Sequence, residues 1–115
     1  MIDEEGTGEF PAVGKRVFVH YETYLLDGTF IDTSKEQIAR DNGIFNSNNP
    51  YLPFDFVLGN SGIIDGFSLG VGLLKVGGSG TFLIPSVLAY QDQQIASVPP
   101  HANLIFRVTL EEILN

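Results

Sequence analysis

Cysteine and tryptophan are both absent from this chain. Without cysteine there is no disulfide, no thiolate metal site and no thiol nucleophile. The compartment stays open, because a cysteine-free domain tolerates oxidising and reducing surroundings alike. Positive charge is scarce: six Lys and Arg stand against 14 Asp and Glu, a formal net charge of −8. The bases are scattered, with Lys15-Arg16 the one adjacent pair. The positive footprint that displaces counterions from nucleic acid is therefore missing. No apolar run reaches the ~18 residues that cross a bilayer as a helix. The first ten residues, MIDEEGTGEF, lack a signal-peptide pattern. Residues 1–13 read as a flexible acidic lead-in, either a true N-terminus or a stub left where a signal or anchor was removed.

What is present suffices for one folded domain. At 115 residues and 43% apolar composition the chain buries a core without staples, and residues 14–115 read as that domain. RVFVHYETYLL (16–26) is rich in β-branched and aromatic residues and reads as a strand. Asp27-Gly28 marks a hairpin turn, and TFIDTS returns as a second strand. The polar segment 35–52 reads as an insertion, in which KEQIAR makes a turn or two of helix closed by Asn42-Gly43. PFDFVLG, SGTFLIP and NLIFRVTLEEIL supply three more strands. The last has Leu104, Phe106, Val108 and Leu110 on one face and Arg107, Thr109 and Glu111 on the other. About five strands and one short helix predict an α+β fold with a mostly antiparallel sheet.

The usual catalytic signatures are missing. There is no P-loop, and the GGSGT and GNSGI stretches lack the second glycine of a nucleophile elbow. His20 and His101 have no neighbouring ligand pattern, so each reads as a satisfied or surface histidine and no metal site is expected. Asp32 is the one carboxylate between two apolar, strand-like stretches. It is either a hydrogen-bonded strand end or a polar group on a pocket wall. The nine Phe and four Tyr come from separated segments; Tyr21, Phe54, Phe67, Tyr90 and Phe106 are either core or the lining of an apolar site.

Five blocks now fall into a familiar order: VHYETYLLDGTFIDTS, PFDFVLG, IIDGFSLGVGLLKVGG, LIPSVLAY and VPPHANLIFRVTLEEI. From about Gly14 to Leu114, apart from 35–52, the chain resembles the FKBP-type peptidyl-prolyl cis-trans isomerases. The resemblance implies a twisted antiparallel sheet wrapped around one short helix. It also implies an isomerase that turns Xaa-Pro bonds in folding polypeptides with no covalent intermediate and no cofactor. The alternative is a catalytically weak or inactive polypeptide-binding or chaperone module on the same fold.

The resemblance assigns roles position by position. Tyr21, Asp32, Ile64, Tyr90 and Phe106 take the catalytic positions, with the Ile64 N–H and the Tyr90 hydroxyl as donors to substrate carbonyls. Ile31, Phe54, Ile63, Phe67 and Val98 take the substrate-binding positions. Ile31 stands where the family usually has phenylalanine, Phe67 where it has the tryptophan that floors the pocket, and Gln91 where it has glycine. Lys35 and Arg40 are the candidate cations for Asp32. A monomer is expected, with proline-containing polypeptides as partners. The long insertion is similar to those of bacterial envelope members, which implies that location, with the cytoplasm as the alternative.

Overall fold

The computed structural model describes residues 1–59, 65–86 and 98–114. Among these the chain forms strands β1 (Ile2–Glu4), β2 (Arg16–Leu25) and β3 (Phe30–Thr33), helix α1 (Glu36–Asp41), strand β4 (Phe54–Val57), helix α2 (Asp65–Val71), and strands β5 (Ser79–Ile84) and β6 (Leu104–Leu114). The strands make one antiparallel sheet in the order β1-β5-β6-β2-β3, with β4 also paired to β2. This is the expected α+β architecture, with six strands rather than five and, among the described residues, two short helices rather than one.

The extra strand is β1, in a stretch whose sequence carries no strand pattern. Three acidic or apolar residues are too few to show alternation. Pairing with β5 makes the strand: Met1 and Thr81 exchange backbone hydrogen bonds of 2.9 Å, and the Thr81 hydroxyl donates to Asp3 at 2.7 Å.

The β2–β3 turn also differs in detail from a two-residue hairpin. Gly28 N–H donates to Leu25 O at 3.0 Å, Leu25 N–H donates to Thr29 O at 2.9 Å, and Gly28 alone takes positive φ, at 91°. That is a three-residue loop, a tight turn closed by one left-handed residue. The Asp27 carboxylate accepts the Thr29 N–H at 2.9 Å, and hydrogen bonding to Thr29 holds its pKa below the usual carboxylate value.

Alternation along β6 places the core. Leu104, Phe106, Val108 and Leu110 are buried, while Arg107 and Glu111 are exposed. With Val17, Val19, Phe56, Leu58, Ile84 and Val98 they close around Phe67, Val71 and Leu74. α2 approaches β5 closely because two of its residues facing that strand, Gly66 and Gly70, have no side chains. A Cβ on Gly66 would collide with Ile84 Cγ2, and one on Gly70 would lie 2.9 Å from the Phe82 ring. Each glycine costs a helix interior about 1 kcal/mol relative to alanine; here burial of Phe67 and Val71 beneath the sheet offsets it.

The helical turn expected at KEQIAR is α1. Its end is a Schellman motif: Gly43, at φ 71°, donates to Arg40 O, and Ile44 donates to Ala39 O.

Candidate active site

One edge of β2 is shared by two strands. β4 pairs with Arg16–Val19 and β3 with Glu22–Tyr24, leaving His20 and Tyr21 at the junction. On that edge the Tyr21 backbone is satisfied by the residues just past the ladder. Its N–H donates to Ser34 Oγ at 2.8 Å, and its carbonyl accepts the Ser34 N–H at 3.1 Å and the Thr33 hydroxyl at 2.7 Å. His20 Nδ1 lies 2.9 Å from the same Ser34 Oγ, which makes it the satisfied histidine expected. Thr33 and Ser34 are buried polar side chains, and these bonds remove the cost of burying them. The sequence reading passed over both. The signal available was a Thr-Ser pair ending an apolar strand next to a proposed functional residue.

The junction aims the Tyr21 ring between β3 and β4. It meets Phe54 edge-on at 6.0 Å and Phe67 at 5.9 Å between ring centroids. Phe67, only 5% exposed, is the hub: Phe56 lies 5.5 Å away, Phe106 5.1 Å and Phe54 6.3 Å. These spacings suit edge-to-face aromatic attraction. Phe106 and Val98 are buried in the same core, and Ile31 packs against it from β3. Phe54 is 37% exposed, so the cluster opens to solvent on the β4 side.

Asp32 has both of the characters that its sequence context allows. Its Oδ1 accepts the Thr33 N–H at 2.8 Å, as a strand-end aspartate does, and its Oδ2 accepts the Tyr21 hydroxyl at 3.2 Å. Neither candidate cation reaches it. Lys35 Nζ lies 3.9 Å from Glu22 Oε2, on the opposite face of β2 from the aromatic cluster. Arg40 pairs with Glu36 at 3.1 Å, one helical turn away, and its guanidinium lies 3.7 Å above the Phe45 ring. Glu22 also accepts the Tyr24 hydroxyl at 2.8 Å; burial, aided by that carboxylate, pushes the Tyr24 pKa up.

The structure thus brings together Tyr21, Ile31, Asp32, Phe54, Phe67, Val98 and Phe106. Ile63, Ile64 and Tyr90 lie outside the described residues. Among the described residues no group of three His, Asp or Glu side chains is arranged to hold a metal, and no helix is long and apolar enough to cross a membrane.

The chain is similar in sequence and fold to known proteins. Residues 7–111 match the family model described as FKBP-type peptidyl-prolyl cis-trans isomerase. The "Probable FKBP-type peptidyl-prolyl cis-trans isomerase FkpA" of Neisseria meningitidis is 41% identical over 97% of this chain, which spans 36% of that protein. The FKBP-type 22 kDa peptidyl-prolyl cis-trans isomerase of Escherichia coli is 37% identical over 98% of the chain, 48% of its own length. The crystal structure of FkpA from Escherichia coli superposes with a TM-score of 0.76 and 30% identity, over 98% of this chain and 46% of that one. The chain therefore spans about half or less of these relatives, and it belongs to the FKBP-type peptidyl-prolyl cis-trans isomerase family.

Proposed function

We propose that the cluster around Phe67 seats a proline ring and accelerates rotation about the preceding peptide bond. The observation that carries this reading is the convergence of Tyr21, Phe54, Phe67 and Phe106, with the Asp32 carboxylate held at the Tyr21 hydroxyl. The chemistry asks for no nucleophile. Amide resonance opposes rotation by ~18–20 kcal/mol, while cis and trans Xaa-Pro forms differ by only ~0.5–1 kcal/mol. Nothing has to be broken. At the twisted transition state the amide loses conjugation and charge separation. An apolar, water-poor surface disfavours the planar, polar ground state relative to it. Only such differential binding speeds the step, and each tenfold requires ~1.36 kcal/mol.

In this scheme Phe67 floors the proline site, Phe106 and Val98 wall it, and Ile31 and Phe54 line its approach. Tyr21 and Asp32 form its polar edge. The family resemblance assigns the two donors to flanking carbonyls, the Ile64 N–H and the Tyr90 hydroxyl, and the adjoining Ile63, to positions outside the described residues. Cis-to-trans relaxation of an apolar Xaa-Pro peptide tests the reading. Micromolar protein accelerates it, and Phe106→Ala removes most of the acceleration. No acceleration overturns the isomerase reading. Saturable binding of the peptide without acceleration supports instead a polypeptide-binding module on the same site, a role favoured by Phe67 and Ile31 at positions where the family usually has tryptophan and phenylalanine.

A further inference from the structure

Asp32 is the exposed carboxylate at the mouth of the aromatic cluster, and this chain supplies it with no cation. All six Lys and Arg and both His fall among the described residues, and none of their nitrogens lies within 4.0 Å of it. Several of the bases are engaged elsewhere. Arg16 pairs with Asp55, Lys35 with Glu22 and Arg40 with Glu36, while Lys75 lies 5.3 Å from the Phe10 ring centroid. The chain as a whole carries a net charge of −8.

We propose that Asp32 gives the site a preference for substrates with a lysine or arginine next to the Xaa-Pro pair. The inference rests on the isomerase-site reading above. The Tyr21 hydroxyl and the Thr33 N–H each orient one Asp32 oxygen. An ionised carboxylate has about four lone-pair positions, so roughly half its accepting capacity remains for a substrate donor. The Tyr21 ring links the carboxylate to the floor, at 5.9 Å from the Phe67 ring. One residue of extended chain spans about 3.3–3.6 Å. A basic side chain adjacent to a seated Xaa-Pro pair thus reaches Asp32, whereas an acidic one meets like charge there.

Leu-Pro peptides carrying Lys, Gln or Glu on both sides of the pair test this, with isomerisation and peptide binding measured in parallel. The Lys peptide exceeds the Gln peptide in kcat/KM and affinity by roughly two- to fivefold, the size of an exposed ion pair, and the Glu peptide falls below both. The order fades at about 1 M salt, where screening acts within a few ångströms. Asp32→Asn brings the Lys-to-Glu ratio near one whatever it does to absolute rate, and Asp32→Glu keeps the preference. Glu112→Gln, which removes an equal charge at an exposed position of β6, leaves the ratio in place. Equal behaviour of the three peptides, or a preference that survives Asp32→Asn, overturns the inference while leaving the isomerase reading intact. If no peptide is isomerised, that reading fails, and the binding ratios alone decide whether Asp32 selects charge.

Discussion

The β2 junction and the 36–52 segment are neighbours in sequence and opposites in construction. At the junction, residues far apart in the chain meet. Tyr21, Asp32, Phe54, Phe67 and Phe106 come from five elements, and Phe67 touches four other aromatic rings. In 36–52 the side-chain bonds are local. Gln37 reaches Asp41, Asn42 reaches Ile38 O, Asn46 N–H donates to the Tyr51 hydroxyl, and Phe45 stacks on Tyr51 at 5.7 Å. Most of the segment is exposed. The first region is built by the whole fold and the second largely by itself. Perturbation at the junction therefore reaches both stability and the proposed activity, and perturbation in the segment reaches little beyond it.

Three substitutions grade that contrast. Phe67→Ala has the largest effect. Removing a buried ring that four others touch costs about 3–5 kcal/mol, read as a lower urea midpoint, with loss of isomerase activity. An unfolding midpoint unchanged within error would show that the ring is not the hub. Ser34→Ala comes next. It removes the buried hydroxyl that accepts the Tyr21 N–H and meets His20 Nδ1, a cost of about 1–3 kcal/mol. It also lowers kcat more than it raises KM and speeds hydrogen exchange at the Tyr21 amide; Ser34→Thr, which keeps the hydroxyl, restores much of both. Stability loss with unchanged kcat would reduce Ser34 to a structural residue. Arg40→Ala is the smallest. It removes an exposed ion pair and a cation–π contact, together about 1 kcal/mol or less, and isomerase activity is unaffected. A large loss of activity there would erase the distinction between the two regions.

Legibility in the sequence follows the same division. The sheet was readable because burial on one face forces alternation, and Leu104 to Leu110 display it over most of β6. The end of α1 was readable because Asn42-Gly43 is a local signal for a local structure. β1 was not readable, since three residues take their conformation from β5 rather than from their own pattern. The partners of Asp32 were misjudged for a related reason. Lys35 and Arg40 are near Asp32 along the chain, but Glu22 and Glu36 are nearer in space. Thr33 and Ser34 escaped notice because short polar residues show their value only when the backbone they bond, here that of Tyr21, is seen in space. The aromatic cluster lay between these cases: composition showed a surplus of rings, and only the fold showed that Phe67 is where they meet.

The bare glycine face of α2 sets where this protein tolerates chemical modification. Gly66 and Gly70 turn toward Ile84 and Phe82 with no room for a methyl group, whereas Leu69 and Leu73 on the same segment are more than half exposed. A saturation library across 65–73 would thus return a striped map, intolerant at 66, 67, 70 and 71 and permissive at 69 and 73. Those two permissive positions are the places to attach a fluorophore or a surface tether. A probe there reports on the helix beneath the proposed proline site without entering the space where helix and sheet meet.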